Sequence, residues 1–222
     1  MPSVSTSDGM TEPASRLIEI TADRLPAWLA GFTERHGGAP ATGRPEAITG
    51  ADGCAARFDY FDHDPLGLIL VRRGGYAVGR VRGGKLLLHK VGTRYVQSRT
   101  AAGGWSQQRY ARRRDNQADE LVGAVADHAA RILVELARAG DETGEIPVGG
   151  MAGPGPGLVV GGDRALVAAV LEDRRLTSLR DLPTRGLYDL PDPNRAVLET
   201  AIKRSRAVRI LITDTAGADL RR

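Results

Sequence analysis

Fifty consecutive residues, Pro65 through Arg114, carry twelve Lys or Arg and not one Asp or Glu. Any fold of this chain must keep those cations at the surface, because an unpaired charge taken into a core loses far more hydration energy than the interior returns. Removing the twelve from 31 Lys+Arg leaves 19 against 27 Asp+Glu, so the net charge of +4 separates into +12 in one block and −8 elsewhere. A block of one sign repels itself unless a polyanion lies against it, and nucleic acid is the polyanion such a surface fits best. The charge distribution points to RNA or DNA before any motif does.

Most of the block is patterned as sheet. Alternation and β-branched content mark Ala55–Tyr60, Leu68–Arg72, Tyr76–Val81 and Leu86–Gln97 as strands, with Gly74-Gly75 and Gly83-Gly84 placed for tight hairpin turns. Their outward positions are mostly Arg or Lys, which predicts one electropositive face. Upstream, Arg16–Ile20 reads as a short strand and Thr21 as the cap of a helix over Ala22–Arg35, with Leu25, Trp28, Leu29 and Phe32 on one side. Gly37–Gly53, with Pro40 and Pro45, reads as a linker.

After the strands the pattern breaks over Thr100–Gln108 and becomes helical from Arg109 to Ala139. A stripe of Leu121, Val122, Val125, Ala129, Ile132, Leu133 and Leu136 predicts that this helix packs on the sheet. Gly149–Gly157 reads as a connection, Leu158–Val160 as a short buried strand and Asp163 as a helix cap. Arg164–Asp173 and Asn194–Arg204 read as helices, and Val208–Thr213 as the last strand. The expected class is α/β, a mixed and mainly antiparallel sheet flanked by helices. At 222 residues and 41% hydrophobic content we expect one globular unit, residues 16–53 packing with a domain over 54–214, behind a disordered leader over 1–15.

Several classes are disfavoured. Residues 1–15 are polar and Ser/Thr-rich, unlike a signal peptide, and no apolar run reaches the roughly 18 residues that a membrane helix needs. Cys54 is the single cysteine, so neither an internal disulfide nor a cysteine zinc site is available, and a cytoplasmic location is expected. Cys54 itself reads as a small, partly buried apolar residue.

The start of the long helix carries the sharpest local argument. Arg109, Arg112, Arg113 and Arg114 crowd its first turns, where the positive end of the backbone dipole already disfavours cations. Phosphate would relieve that, since helix-start N–H groups and guanidinium forks both match phosphate oxygens; a solvated basic surface offset by Asp115, Asp119 and Glu120 is the alternative. Just ahead, Gly103 and Gly104 let the backbone approach a ligand closely. Gln107 has no titratable proton and cannot be a general base, but its amide can hold a water and donate a hydrogen bond. That suits hydrolysis of an ester needing little activation, with positioning and oxyanion stabilisation supplying the rate.

The run Leu86–Arg99, LLLHKVGTRYVQSR, followed by Gly103–Gln117, GGWSQQRYARRRDNQ, resembles the Vms-like release-factor family of peptidyl-tRNA hydrolases in its compact bacterial branch. That family is related to the middle domain of the eukaryotic class I release factor. The resemblance covers about Leu66 to Asp141 and extends loosely to about Arg204. It implies a ribonuclease-H-like sheet whose Gln-bearing loop enters the large ribosomal subunit and cleaves the ester between a nascent peptide and the CCA end of its tRNA. It makes Gln107 the water-positioning residue, with Gly103 and Gly104 shaping the loop and Arg109, Arg112, Arg113 and Arg114 touching tRNA or ribosomal RNA. The family pattern has Gln directly after two glycines, whereas here Trp105 and Ser106 intervene and Gln108 follows, so Gln108 stays a candidate for the same role.

Trp105 either stacks on a terminal base or anchors its own loop. Lys90 and Arg94 belong to the exposed sheet face and are candidate RNA contacts, or else ordinary solvated charges. Asp59, Asp62, His63 and Asp64 are the one local set that a metal-dependent nuclease would use. His36, His89 and His128 show no mutual ligand spacing, and Gly149–Gly162 lacks the Lys-Ser/Thr ending of a nucleotide phosphate loop. The expected partners are therefore peptidyl-tRNA and the large subunit's RNA, with no membrane, metal or cofactor. A non-catalytic RNA-binding module and a nuclease are the competing readings.

Overall fold

The computed structural model describes residues 14–93, 106–138 and 155–214, and for residues 106–116, 134, 137 and 138 the backbone path alone. The chain divides into two compact units, Met1–Phe61 with Arg206–Arg222, and Asp62–Ser205. The sequence pattern reads instead as one unit with an internal seam after Gly53. No linker composition marks Phe61 or Ser205, and the C-terminal strand joins its partners across almost the whole chain.

The first unit is a four-stranded antiparallel sheet of β1 (Ser15–Ile20), β2 (Ala47–Thr49), β3 (Ala55–Asp59) and β9 (Val208–Thr213), in the order β1-β9-β3-β2. One helix, α1 (Leu25–His36), packs on it. Leu25, Leu29 and Phe32 recur at helical spacing and meet Ala56, Val208, Ile210 and Ile212, the alternate residues of β3 and β9. Thr21 does not cap this helix. A 3-10 turn over Ala22–Arg24 comes first, and the Thr21 side chain bonds the Asp23 side chain and makes no capping bond, while Pro26 sits at the start of α1. On the opposite face Glu19 and Arg209, register partners, form an ion pair at 3.1 Å.

The second unit is a five-stranded mixed sheet of β4 (Leu66–Arg72), β5 (Gly75–Arg82), β6 (Lys85–Thr93), β7 (Gly157–Gly162) and β8 (Thr184–Leu187), in the order β6-β5-β4-β7-β8. β4, β5 and β6 form an antiparallel meander, while β7 runs parallel to β4 and β8 parallel to β7. Leu66 through Val71 are all buried, as expected for a central strand covered on both faces. α2 (Ser106–Arg138), α3 (Arg164–Leu171) and α4 (Thr177–Arg180) enclose one face around Ile69, Val71, Val78, Leu158 and Val160. α5 (Arg195–Ser205) lies on the other, where Leu198 fills the space left by Gly79.

The expected α/β class, mainly antiparallel and flanked by helices, is what forms, but as two sheets. β2 lies inside the stretch read as linker, and β8 and α4 have no counterpart in the sequence reading. Three or four residues are too few for either periodicity to register. Among the described residues no helix is long and apolar enough to cross a membrane.

Candidate functional site

β6 is the outermost strand of its sheet, and Lys85, Leu87, Leu88, His89 and Lys90 along it are exposed. It hands the chain to residues 94–105, and α2 takes it back at Ser106. The direction of α2 follows from three contacts. Leu136 lies beside Gly67 near the start of β4, Glu135 binds Arg80 at 2.5 Å, and the His128 ring stacks on Tyr76 at 5.5 Å, next to the Gly75–Thr93 end of the sheet. Moving toward its N-terminus, the helix thus travels to the end where β6 finishes and continues past it.

With 33 residues α2 is about 50 Å long. The described part of its apolar stripe begins at Ala118, so the twelve positions Ser106–Gln117 extend for about 18 Å ahead of it. Gln107, Gln108 and Arg109 occupy the first turn, and Arg112, Arg113 and Arg114 follow. The pattern predicts a helix start at Arg109, and the structure moves it to Ser106. Gln and Arg are strong helix formers, and no Gly or Pro after Gly104 stops the helix from starting earlier. The first turn contains no acidic residue, so its unpaired N–H groups and positive dipole end are not neutralised from within. Arg94, Gly103, Gly104 and Trp105 lie outside the described residues. Lys90 is exposed on β6, on the sheet face that carries α2.

Two features shape this end of the sheet. A Cβ added at Gly92 would lie 2.5 Å from Tyr76 Cζ and 2.7 Å from its hydroxyl oxygen, so Gly92 is the slot that admits the Tyr76 ring. Gly92→Ala is expected to lower stability by about 1–3 kcal/mol through overpacking, read as a lower urea midpoint with an unchanged m-value. At the end of β7, Gly162 adopts φ 95° against the Val71 carbonyl. The next residue, Asp163, caps α3 as expected, accepting from the N–H groups of Ala165 at 2.9 Å and Leu166 at 3.2 Å.

The acidic set ahead of β4 has another use. Both carboxylate oxygens of Asp64 accept from the Gly83 N–H, at 3.0 and 2.9 Å, pinning the β5–β6 turn. Among the described residues no group of three or more His, Cys, Asp or Glu is arranged to hold a metal ion. Cys54 is buried, and burial together with Asp214 pushes its thiol up to about 11, away from nucleophilic use. His36 Nδ1 lies 2.8 Å from Asp52, whose other carboxylate oxygen accepts from the Cys54 N–H, so this pair fastens the turn before β3.

Sequence reasoning missed one cluster. Nη2 of Arg131 is 3.0 Å from His128 Nδ1, and Lys90, the register partner of Val78, stands on the sheet face that α2 covers. Burial first, then the charges of Arg131 and Lys90, hold the His128 ring below its ordinary pKa. Only the pairing of β6 with β5, and of both with α2, brings these residues together, and spacing in the chain carries no trace of it.

A 33-residue helix thus covers one face of a mixed sheet, and its first turn, beginning at Ser106, contains no acidic residue. The model of the Actinobacteria/chloroflexi VLRF1 release factors matches residues 64–211, and the chain belongs to that family. Peptide chain release factor subunit 1 of Thermococcus onnurineus (strain NA1) is 34% identical over 93 residues, covering 42% of this chain and 21% of that protein. The namesake from Pyrococcus abyssi (strain GE5 / Orsay) is 33% identical over 93 residues, 42% and 22% of the two chains. The chain thus matches about a fifth of the length of these curated relatives. A crystal structure of the archaeal translation termination factor aRF1 aligns over 57% of this chain and 32% of its own, at 21% identity and a TM-score of 0.35. The family match makes the chain release-factor-like over residues 64–211.

Proposed function

We propose that the protein is a peptidyl-tRNA hydrolase that frees nascent peptide on stalled ribosomes or large subunits. The reaction is attack of water on the acyl carbon of the peptidyl-tRNA ester. The bond from that carbon to the ribose oxygen breaks, the hydroxyl of the water joins the peptide, and its other proton ends on the ribose oxygen. Gln107 is the residue we assign to hold the water, with Gln108 as its competitor for that place. The observation that carries the reading is that α2 begins at Ser106, which puts both glutamines in an acid-free first turn, the turn whose N–H donors have no partner within the helix. Those donors and the dipole favour the oxyanion that forms on the acyl oxygen. Gly103 and Gly104 would shape the loop and Trp105 would stack on a base. Arg94, Arg109, Arg112, Arg113 and Arg114 are assigned to RNA phosphates, in a cytoplasmic setting where ribosomes are found.

A neutral amide needs no metal or cofactor. Protein stripped with a chelator and desalted is expected to release labelled peptide from peptidyl-tRNA on large subunits as fast as untreated protein. A large loss on stripping, restored by a divalent ion, would favour the nuclease reading. Arg113→Glu is expected to raise the protein concentration needed for half-maximal release and to flatten its dependence on log salt by about 0.7–0.9, one phosphate contact. An unchanged midpoint and slope would remove Arg113 from the RNA surface.

A further inference from the structure

α2 carries His128 and Arg131, and Lys90 on β6, the register partner of Val78, stands on the sheet face that this helix covers. Arg131 donates from Nε to the Asp127 carbonyl at 3.2 Å, and its Nη2 lies 3.0 Å from His128 Nδ1. The ring of His128 is backed by Tyr76, which is buried. Lys90 is close enough to disfavour the charged form of His128.

Arginines beside this cluster are matched by carboxylates: Arg80 by Glu135 at 2.5 Å, and Arg175 by Asp127 and Asp173, each at 2.7 Å. Among the described residues no carboxylate pairs with Lys90 or Arg131, and the nearby Asp127 carboxylate is already held by Arg175. Converging like charges with no counterion raise the energy of the free protein, and a bound anion recovers it.

We infer that Lys90, His128 and Arg131 form a second phosphate site, which takes the backbone of an RNA duplex lying alongside α2 while its 3′ end reaches Gln107. This rests on the hydrolase reading and names what holds the body of the substrate. Arg131 is 24 positions from Gln107, about 36 Å along the helix, so a ligand touching both must be long and carry phosphates along its length. Tyr76 is buried beneath His128, so what the site exposes is two cations and an imidazole edge, groups that suit phosphate oxygens spaced along a duplex backbone. His128 is the positioning residue: its neutral ring accepts from Arg131 and aims the guanidinium outward.

The test uses full-length protein in single-turnover release from large subunits carrying peptidyl-tRNA, titrated at several salt concentrations. The Lys90→Gln/Arg131→Gln double variant is expected to need about tenfold more protein at low salt. Its log–log salt slope should flatten by about 1.8, two duplex phosphate contacts, with the saturated rate unchanged. Arg195→Gln, which removes one charge from the exposed Arg195–Glu199 pair on α5, should keep the wild-type slope. A double variant with wild-type midpoint and slope overturns the site, as does an equal change in Arg195→Gln, which would reveal a diffuse charge effect. If wild type releases peptide, Gln107→Ala does not, and the double variant titrates like wild type, this site alone fails. Absence of release by wild type at any concentration removes the hydrolase reading and this site with it.

Discussion

Replacing Gln107 by Ala is expected to slow peptide release by about 10²–10³, the usual effect of losing one positioned polar group at a developing oxyanion or its attacking water. The loss should appear in the saturated rate and leave the concentration for half-maximal release nearly unchanged, because the arginines proposed to bind RNA stay in place. Neighbouring Gln108 supplies the contrast. Positions 107 and 108 of a helix lie about 100° apart around its axis, so both cannot present an amide to the same ester in the same way. One of the two Ala variants should lose most of the activity and the other little. Equal, modest losses in both would mean that neither amide holds the water and that the N–H groups of the first turn act without them. Gly104→Ala should reduce release as well, by narrowing the backbone's approach to the ester.

Gly162→Ala is expected to have the largest effect on stability of any single methyl added to the described sheet. Its φ of 95° is one that L side chains rarely adopt, and the added Cβ would sit inside the contact distance of the Val71 carbonyl oxygen. Neither side can yield easily: Val71 lies in the central buried strand, and its carbonyl accepts the Asp163 N–H at 2.7 Å. Strain and overpacking together should cost about 3 kcal/mol or more, lowering the Tm by roughly 6 °C or more. Gly123→Ala is the matched control. Its Cβ meets nothing within 4 Å on an exposed turn of α2, and replacing a helical Gly by Ala should add about 0.5–1 kcal/mol. Opposite signs for these two variants would confirm that backbone geometry, not glycine content, decides the outcome.

What the sequence made legible follows from where periodicity is strong. Leu121, Val125, Ala129, Leu133 and Leu136 repeat at helical spacing, and all five are buried against the sheet. Leu158–Val160 reads as a buried strand because it is one, completely covered between β4 and β8. Long-range pairing was not legible: β9 enters the sheet of β1, and nothing in Val208–Thr213 names a partner at Ser15–Ile20. The charge block was read as one electropositive face, yet its members divide by fold. Arg80 turns to Glu135, while Lys90 is left beside His128 and Arg131. Of the candidate site, the glutamines, glycines and arginines of residues 103–114 are visible as a motif, whereas the Tyr76–Gly92 slot and the Lys90–His128–Arg131 cluster exist only once strand register is set. Asp64, in the acidic set ahead of β4, fastens the β5–β6 turn, a role that spacing along the chain does not reveal.

The most direct test of the central claim is the fate of the solvent oxygen. Release is run in water enriched in oxygen-18 with defined peptidyl-tRNA on large subunits, and both products are weighed by mass spectrometry. Attack at the acyl carbon predicts a peptide with one heavy oxygen in its new carboxyl group and a tRNA with an intact, unlabelled 3′ end. A peptide still joined to a nucleotide, or heavy oxygen appearing in a terminal phosphate, would show cleavage of the RNA backbone and contradict the account.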